Sequence, residues 1–318
     1  MVDAGRPAHP LGYEQRLMRK PGLMFVVAFL LVAGGCGPEP TPAMPTATVP
    51  PPTLTSTATF TPLPTYTPTP TITPTPTWVF QPAGKIICPI LLYHRISDPP
   101  EPGSSAARYY ISPYDFETQM QTLHDWGYTA IPISLLITAI NGGAPLPPRP
   151  VVITFDDGDI SVYTAAFPIM QRFGYMGVIY LVADRLQSDG FIGAAEVKVL
   201  TGAGWEVGSH GMTHANLLEN PERLSFEGYE SRLLLQKKLE VPVDTFAYPF
   251  GVADDLTIDH IDAYGYRAAV GLGLLYEHDR HSLFYLSRIE IRNGTALAVL
   301  AGMLPWYGPL DAALTPTP

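Results

Sequence analysis

Between residues 86 and 307, short apolar runs alternate with longer stretches in which apolar residues recur at helical spacing. The first run, residues 86–93, reads "IICPILLY"; comparable runs follow as "YTAIPI", "VVITF", "GVIYLV", "WEVGS", "DTFAYP", "YRAAVG" and "YLSRIEI". Residues 151–155 are short, apolar and β-branched, the composition of a strand covered on both faces. Between the first two runs, Ser112 and Pro113 read as the N-cap and first residue of a helix with Phe116, Met120 and Leu123 on one face, stopping at Gly127. The alternation predicts parallel strands joined by right-handed crossovers, an α/β fold that is either a (β/α) barrel or an open doubly wound sheet. About seven or eight strands in roughly 220 residues favour the barrel, with its chemistry at the rim of strand C-terminal ends. His94, Asp156, Asp157, His210 and Phe250 fall at such ends.

Composition changes this picture mainly before residue 79. The 35 prolines of the 318-residue chain exceed what a compact domain carries. Residues 18–36, "MRKPGLMFVVAFLLVAGGC", combine Arg19 and Lys20, an apolar stretch and small residues before Cys36. That is the build of an export signal, too short for a comfortable membrane span. Its end resembles a bacterial lipobox, which implies cleavage before Cys36 and lipid attachment to its thiol; Met18 would begin a signal of conventional shape. An uncleaved signal anchor is the alternative, and either reading places the rest of the chain outside the cytoplasmic membrane. Residues 37–78 are Pro/Thr-rich with one charge, Glu39, and no apolar periodicity, so they are expected to be a disordered tether reaching on the order of 100 Å when extended. The domain organisation is therefore signal (1–36), linker (37–78), folded domain (79–310) and a short Thr/Pro tail (311–318).

Charge and cysteine content narrow the chemistry. A formal net charge of -10 argues against nucleic acid as a partner. The expected chain is a monomer whose one membrane contact is its lipid or signal anchor. With Cys36 lipidated, Cys88 is left alone in an apolar run, as a buried small hydrophobe. A disulfide and a cysteine-ligated zinc site are both disfavoured, so any metal falls to histidine and carboxylate.

Two constellations supply such groups. "VVITFDDGD" ends an apolar run in Asp156 and Asp157. Asp-Gly turn chemistry explains the pair without function; at a barrel rim, the two carboxylates can instead divide into a metal ligand and a free base. "GWEVGSHGMTH" then places His210 and His214 four residues apart after a strand. One helical turn would put both imidazoles on one face, at a spacing suited to a shared divalent ion. Surface histidines with no role are the plain alternative. Asp157 with two neutral histidines makes a facial set with open positions.

"TFDDG", "SHGMTH" and "FAYPFG" together resemble the NodB-type polysaccharide deacetylases, carbohydrate esterase family 4, particularly the poly-N-acetylglucosamine deacetylase branch. The resemblance spans about residues 86–295. It implies a distorted (β/α) barrel and metal-dependent hydrolytic removal of acetyl groups from N-acetylated sugars, with Zn2+ as the expected ion and Co2+ or Ni2+ as alternatives. By the family pattern Asp156 matches the catalytic base, and Asp157, His210 and His214 the metal ligands. The backbone N–H of Phe250 matches the oxyanion donor, and Tyr248 and the Phe250 ring are placed to pack on a sugar face or to serve a structural turn.

The chain departs from that pattern at three places. Gly211 stands where the family usually has Ser or Thr, removing a hydroxyl that braces the histidine loop. Ala247 stands where many members place an arginine that orients the base. Near the barrel's end, a Leu-x-His that supplies the general acid is replaced by "YLSRIEI", with Arg288 near that position. This leaves the acid to Asp156 returning its proton or to His94 projecting into the rim. His278 and His281 in "EHDRH" read as a solvated loop. The competing functions are a surface-tethered carbohydrate-binding protein without turnover, for which Asp156 beside Asp157 has no use, and a metal-dependent amidase or esterase on a non-sugar substrate. Peptidoglycan, poly-N-acetylglucosamine, chitin oligomers and acetylated xylan all present acetyl groups to such a site.

Overall fold

The computed structural model describes residues 77–310. The signal, Cys36, nearly all of the Thr/Pro tract and the tail from residue 311 lie outside the described residues. The strands are β1 (Val79–Gln81), β2 (Ile86–Ile87), β3 (Ile90–Tyr93), β4 (Thr129–Ala130), β5 (Ala144–Leu146), β6 (Pro150–Phe155), β7 (Val178–Leu181), β8 (Glu206–Ser209), β9 (Thr245–Ala247), β10 (Ala268–Val270), β11 (Glu277–His278) and β12 (Ile289–Glu290). The α-helices are α1 (Pro113–Asp125), α2 (Ile133–Gly142), α3 (Phe167–Arg172), α4 (Ala194–Gly202), α5 (Ser231–Leu239), α6 (Asp255–Ala263) and α7 (Leu297–Met303).

Eight strands form one parallel sheet in the order β10-β9-β8-β7-β6-β3-β12, with β4 also on β6. β6 is buried at every position, as its unbroken apolar composition requires of a strand with helices on both faces. One segment joins the two ends of the sheet. Leu286 bridges Val270 of β10, and three residues later Ile289 and Glu290 pair with Leu91 and Leu92 of β3. The result is the distorted barrel that the family resemblance implies. The β1–β5 and β2–β11 pairs are antiparallel ribbons beside it.

Local chemistry explains most boundaries. Ser112 Oγ accepts the Asp115 N–H at 3.1 Å, Pro113 occupies the first helical turn, and Phe116, Met120 and Leu123 are buried, as the α1 pattern predicts. Gly127 adopts φ 74° just beyond. Phe155 stacks on Trp205 with centroids 5.5 Å apart and on Tyr93 at 5.7 Å, tying neighbouring strands to the core beneath the rim.

Three expectations are corrected here. The 86–93 run is two strands, because Pro89 has no N–H to continue the ladder and the chain breaks at Cys88–Pro89. The "YTAIPI" run contributes only two strand residues, since Pro132 ends it and caps α2. His278 is not in a solvated loop: it is buried in β11, where its Nε2 lies 3.1 Å from the Cys88 carbonyl. His281 is exposed, and Cys88 is a buried free thiol, both as expected. Among the described residues, no helix is long and apolar enough to cross a membrane.

Candidate active site

The C-terminal ends of β3, β6, β8 and β9 open into a cavity of about 260 Å³ lined by His94, Asp156, Asp157, His210, His214 and Phe250. The structure therefore brings these six residues, all expected from the sequence, to one rim. Adjacent residues at the end of β6 diverge as an extended chain must, and Asp157 turns further by adopting φ 74°.

Asp156 is buried, with its N–H donated to the Tyr93 carbonyl at 3.0 Å. Its two oxygens each accept one nitrogen of the Arg288 guanidinium, both at 2.7 Å. Burial alone would raise its pKa, but the Arg288 charge, aided by His210, the Arg288 hydrogen bonds and His94, brings it down to about 2. Arg288 itself is buried and also donates to the Gly271 carbonyl at 3.2 Å. The arginine missing at Ala247 is thus supplied from the opposite end of the sheet, by the segment that closes it.

Asp157 faces the other way. Arg185 Nη1 lies 3.0 Å from Oδ1, and Arg95 Nη2 lies 3.8 Å from Oδ2. Burial opposes its ionisation, but His210, His214, His94 and Arg185 together hold its pKa below the ordinary carboxylate value. One donor atom from each of Asp157, His210 and His214 lies within 4.8 Å of the others. His210 Nδ1 is 2.8 Å from the Ala247 carbonyl, which can only be a donated N–H, so Nε2, 3.6 Å from Asp156 Oδ2, is the nitrogen left for a ligand. Burial, then His210, lowers the His214 pKa to about 4, so this ring is neutral at pH 7 and its 3.6 Å approach to Asp157 is not an ion pair there. A carboxylate and two imidazoles converging on one point fit a divalent transition-metal ion.

The histidines do not share a helical face. Residues 210–214 form an irregular loop with Gly211 at φ 83° and His214 at φ 68°, and the rings meet edge-on with centroids 4.8 Å apart. Tyr248 does not reach the cavity either: it is fully buried, with its hydroxyl donating to the Phe284 carbonyl at 2.9 Å. Phe250 does reach it, 54% exposed, with its ring 4.7 Å from His214 and its backbone at φ 61°. His94 stands in the wall, 4.6 Å from the Tyr109 ring, and burial lowers its pKa against the pull of Asp156 and Asp157.

Sequence reasoning missed Arg288 as the partner of Asp156, although a lone arginine inside "YLSRIEI" signals a buried counter-charge. It also missed Arg95, Arg185 and Glu227, whose carboxylate meets the histidine loop.

A family model described as polysaccharide deacetylase matches residues 143–269. The chain is 26% identical over 194 residues to the poly-beta-1,6-N-acetyl-D-glucosamine N-deacetylase of Escherichia coli (strain K12), covering 46% of this chain and 29% of that protein. It therefore spans under a third of that relative's length. Among solved structures, BC0361, a polysaccharide deacetylase from Bacillus cereus, superposes with a TM-score of 0.61 at 27% identity over 69% of each chain. The Streptococcus pyogenes deacetylase PplD shares the fold, with a TM-score of 0.62 at 24% identity over 70% of this chain and 99% of that one.

Proposed function

We propose that this chain, whose residues 143–269 match the polysaccharide deacetylase family model and whose fold resembles solved deacetylases, hydrolyses N-acetyl groups from an extracellular polysaccharide of the peptidoglycan or poly-N-acetylglucosamine type. The observation that carries this reading is the opposed pair at the end of β6: Asp157 turned to two histidines, and Asp156 turned to a buried arginine. A binding protein gains nothing from the second carboxylate.

Asp157, His210 and His214 would hold the ion, with zinc expected and cobalt or nickel fitting the same donors. When bound, it supplies Lewis acidity toward the acetamide carbonyl and toward the attacking water. Asp156 takes the proton of that water. Its Arg288 clamp fixes the geometry and keeps it ionised through neutral pH, at a cost in basicity.

The Phe250 N–H, on a residue turned by its positive φ, is assigned as donor to the developing oxyanion. The proton returns to the departing amine from Asp156. His94, in the cavity wall with its pKa lowered by burial, is the alternative acid.

The export signal and Cys36 support a surface-tethered location, with the Pro/Thr tract as the reach between membrane and polymer. Acetate release by the purified, zinc-loaded chain from peptidoglycan, poly-N-acetylglucosamine, chitin oligomers and acetylated xylan tests the reading. Turnover confined to O-acetyl xylan, or to a non-sugar amide, overturns it.

A further inference from the structure

The loop that carries both histidines is gripped from outside the barrel by one buried carboxylate. Glu227 lies in the irregular helical turn Ser225–Glu230 that leads into α5, and its side chain is 0% exposed. Its Oε2 accepts the backbone N–H groups of Met212 and Thr213, at 2.8 and 2.9 Å. Its Oε1 accepts the Thr213 hydroxyl at 2.6 Å and faces Arg223 Nη2 at 2.9 Å. Arg223 Nη2 also donates to Thr213 Oγ1 at 3.0 Å, so carboxylate, hydroxyl and guanidinium close a small ring over the loop.

Gly211 makes this grip possible. A Cβ at position 211 would lie 2.8 Å from Glu227 Oε2, closer than a real Cβ contact. The backbone there, at φ 83°, also disfavours any side chain. The missing hydroxyl at 211 and the buried carboxylate at 227 are thus two sides of one arrangement. A second thread runs alongside: Ser231 Oγ lies 2.8 Å from Ser209 Oγ, which in turn accepts the Gly211 N–H at 3.3 Å. The turn before α5 therefore holds the loop between His210 and His214 at three backbone or hydroxyl points, and α5 reaches a fourth, the Gly211 N–H, only through Ser209 of β8.

A carboxylate withdrawn from water is costly unless its lone pairs are met, and here each oxygen has two donors. None of them belongs to the substrate cavity. We propose that Glu227 is a positioning residue for the cation site: it fixes the His210–His214 loop so that His214, at its positive φ, presents its ring to Asp157 before any ion arrives. This rests on Asp157, His210 and His214 being the cation ligands.

The test is zinc affinity of the apo chain, measured by chelator competition, together with the visible spectrum of the cobalt-loaded form. Glu227→Gln keeps the shape but cannot accept from two N–H groups, a hydroxyl and a guanidinium at once. It should weaken zinc binding by about 10- to 100-fold, the range for a residue that orients a ligand, and shift the cobalt bands. Thr213→Val, which removes the hydroxyl's bonds to Glu227 and Arg223 but leaves the buried carboxylate on both backbone N–H groups and beside Arg223, should weaken binding by a smaller factor and keeps the test open if Glu227→Gln does not fold. Wild-type zinc affinity and an unchanged cobalt spectrum in a folded Glu227→Gln, or in Thr213→Val should the former not fold, overturn the role of Glu227 alone. A wild-type chain that binds neither ion overturns the cation site and this inference with it.

Discussion

Arg288 and Asp156 form a two-pronged buried ion pair across 132 positions of sequence, both contacts at 2.7 Å. Its geometry is that of guanidinium matched to carboxylate, which an ammonium cannot reproduce. Removing one partner leaves the other charged and out of water. Arg288→Met should therefore destabilise the domain by about 3–5 kcal/mol, read from urea unfolding. Asp156→Asn/Arg288→Met should recover part of that loss. Additive effects of the two substitutions would show that the pair is not coupled.

Asp156→Asn separates chemistry from ligation. The amide keeps the side-chain shape and removes the proton acceptor, so turnover should fall by about 10²-fold or more while zinc content stays near wild type. Both are to be measured on one preparation. Loss of metal together with activity would make Asp156 a ligand, and near-normal turnover would remove it from the mechanism.

The Asp157→Ala/His214→Ala double variant should lose zinc on dialysis and lose turnover with it, since two of the three converging donors are gone. Metal analysis of the folded variant decides the point: full occupancy would place the ion elsewhere.

Acid stability should depend on His278. Burial, partly offset by the bond to the Cys88 carbonyl, lowers its pKa to about 4 from a free value of 6.5. Between those values the unfolded chain binds the proton and the folded chain does not. The stabilisation is therefore fully present above pH 6.5 and declines as pH falls toward 4, by roughly 3 kcal/mol. His278→Gln retains an N–H for the carbonyl and cannot titrate, so its urea midpoint should vary less over that window than that of the wild type. An identical acid slope in both proteins would assign the effect to other groups.

How far the sequence could be read follows from which forces each feature obeys. The strand ends and the α1 cap at Ser112 follow from apolar patterning and fixed spacing, which are local, whereas the meeting of Asp157, His210 and His214 is legible through the resemblance of "TFDDG" and "SHGMTH" to a known family. Backbone conformation between the histidines is not local in that sense. The spacing of His210 and His214 fits one helical turn, yet Gly211 and His214 take positive φ in a loop that Glu227 holds from outside it. Tyr248 and His278 look polar enough for a surface; burial of one under Phe284 and of the other against Cys88 depends on long-range packing. Ala247 and Arg288 read as two separate departures until the sheet is closed, when they become one exchange of position.

That closure has a consequence for how the molecule is built. The segment from Leu286 to Glu290 touches both open edges of the sheet and carries the counter-charge of Asp156. During synthesis β3, β6, β7, β8, β9 and β10 all emerge before it. Until residue 288 is available, β6 ends in an unneutralised carboxylate and the edges at β3 and β10 remain unpaired. Pairings this distant in sequence are entropically late. The reaction centre is thus completed by the last strand to arrive, and a nascent chain that stops short of Arg288 has the histidine cluster without the lock on its base.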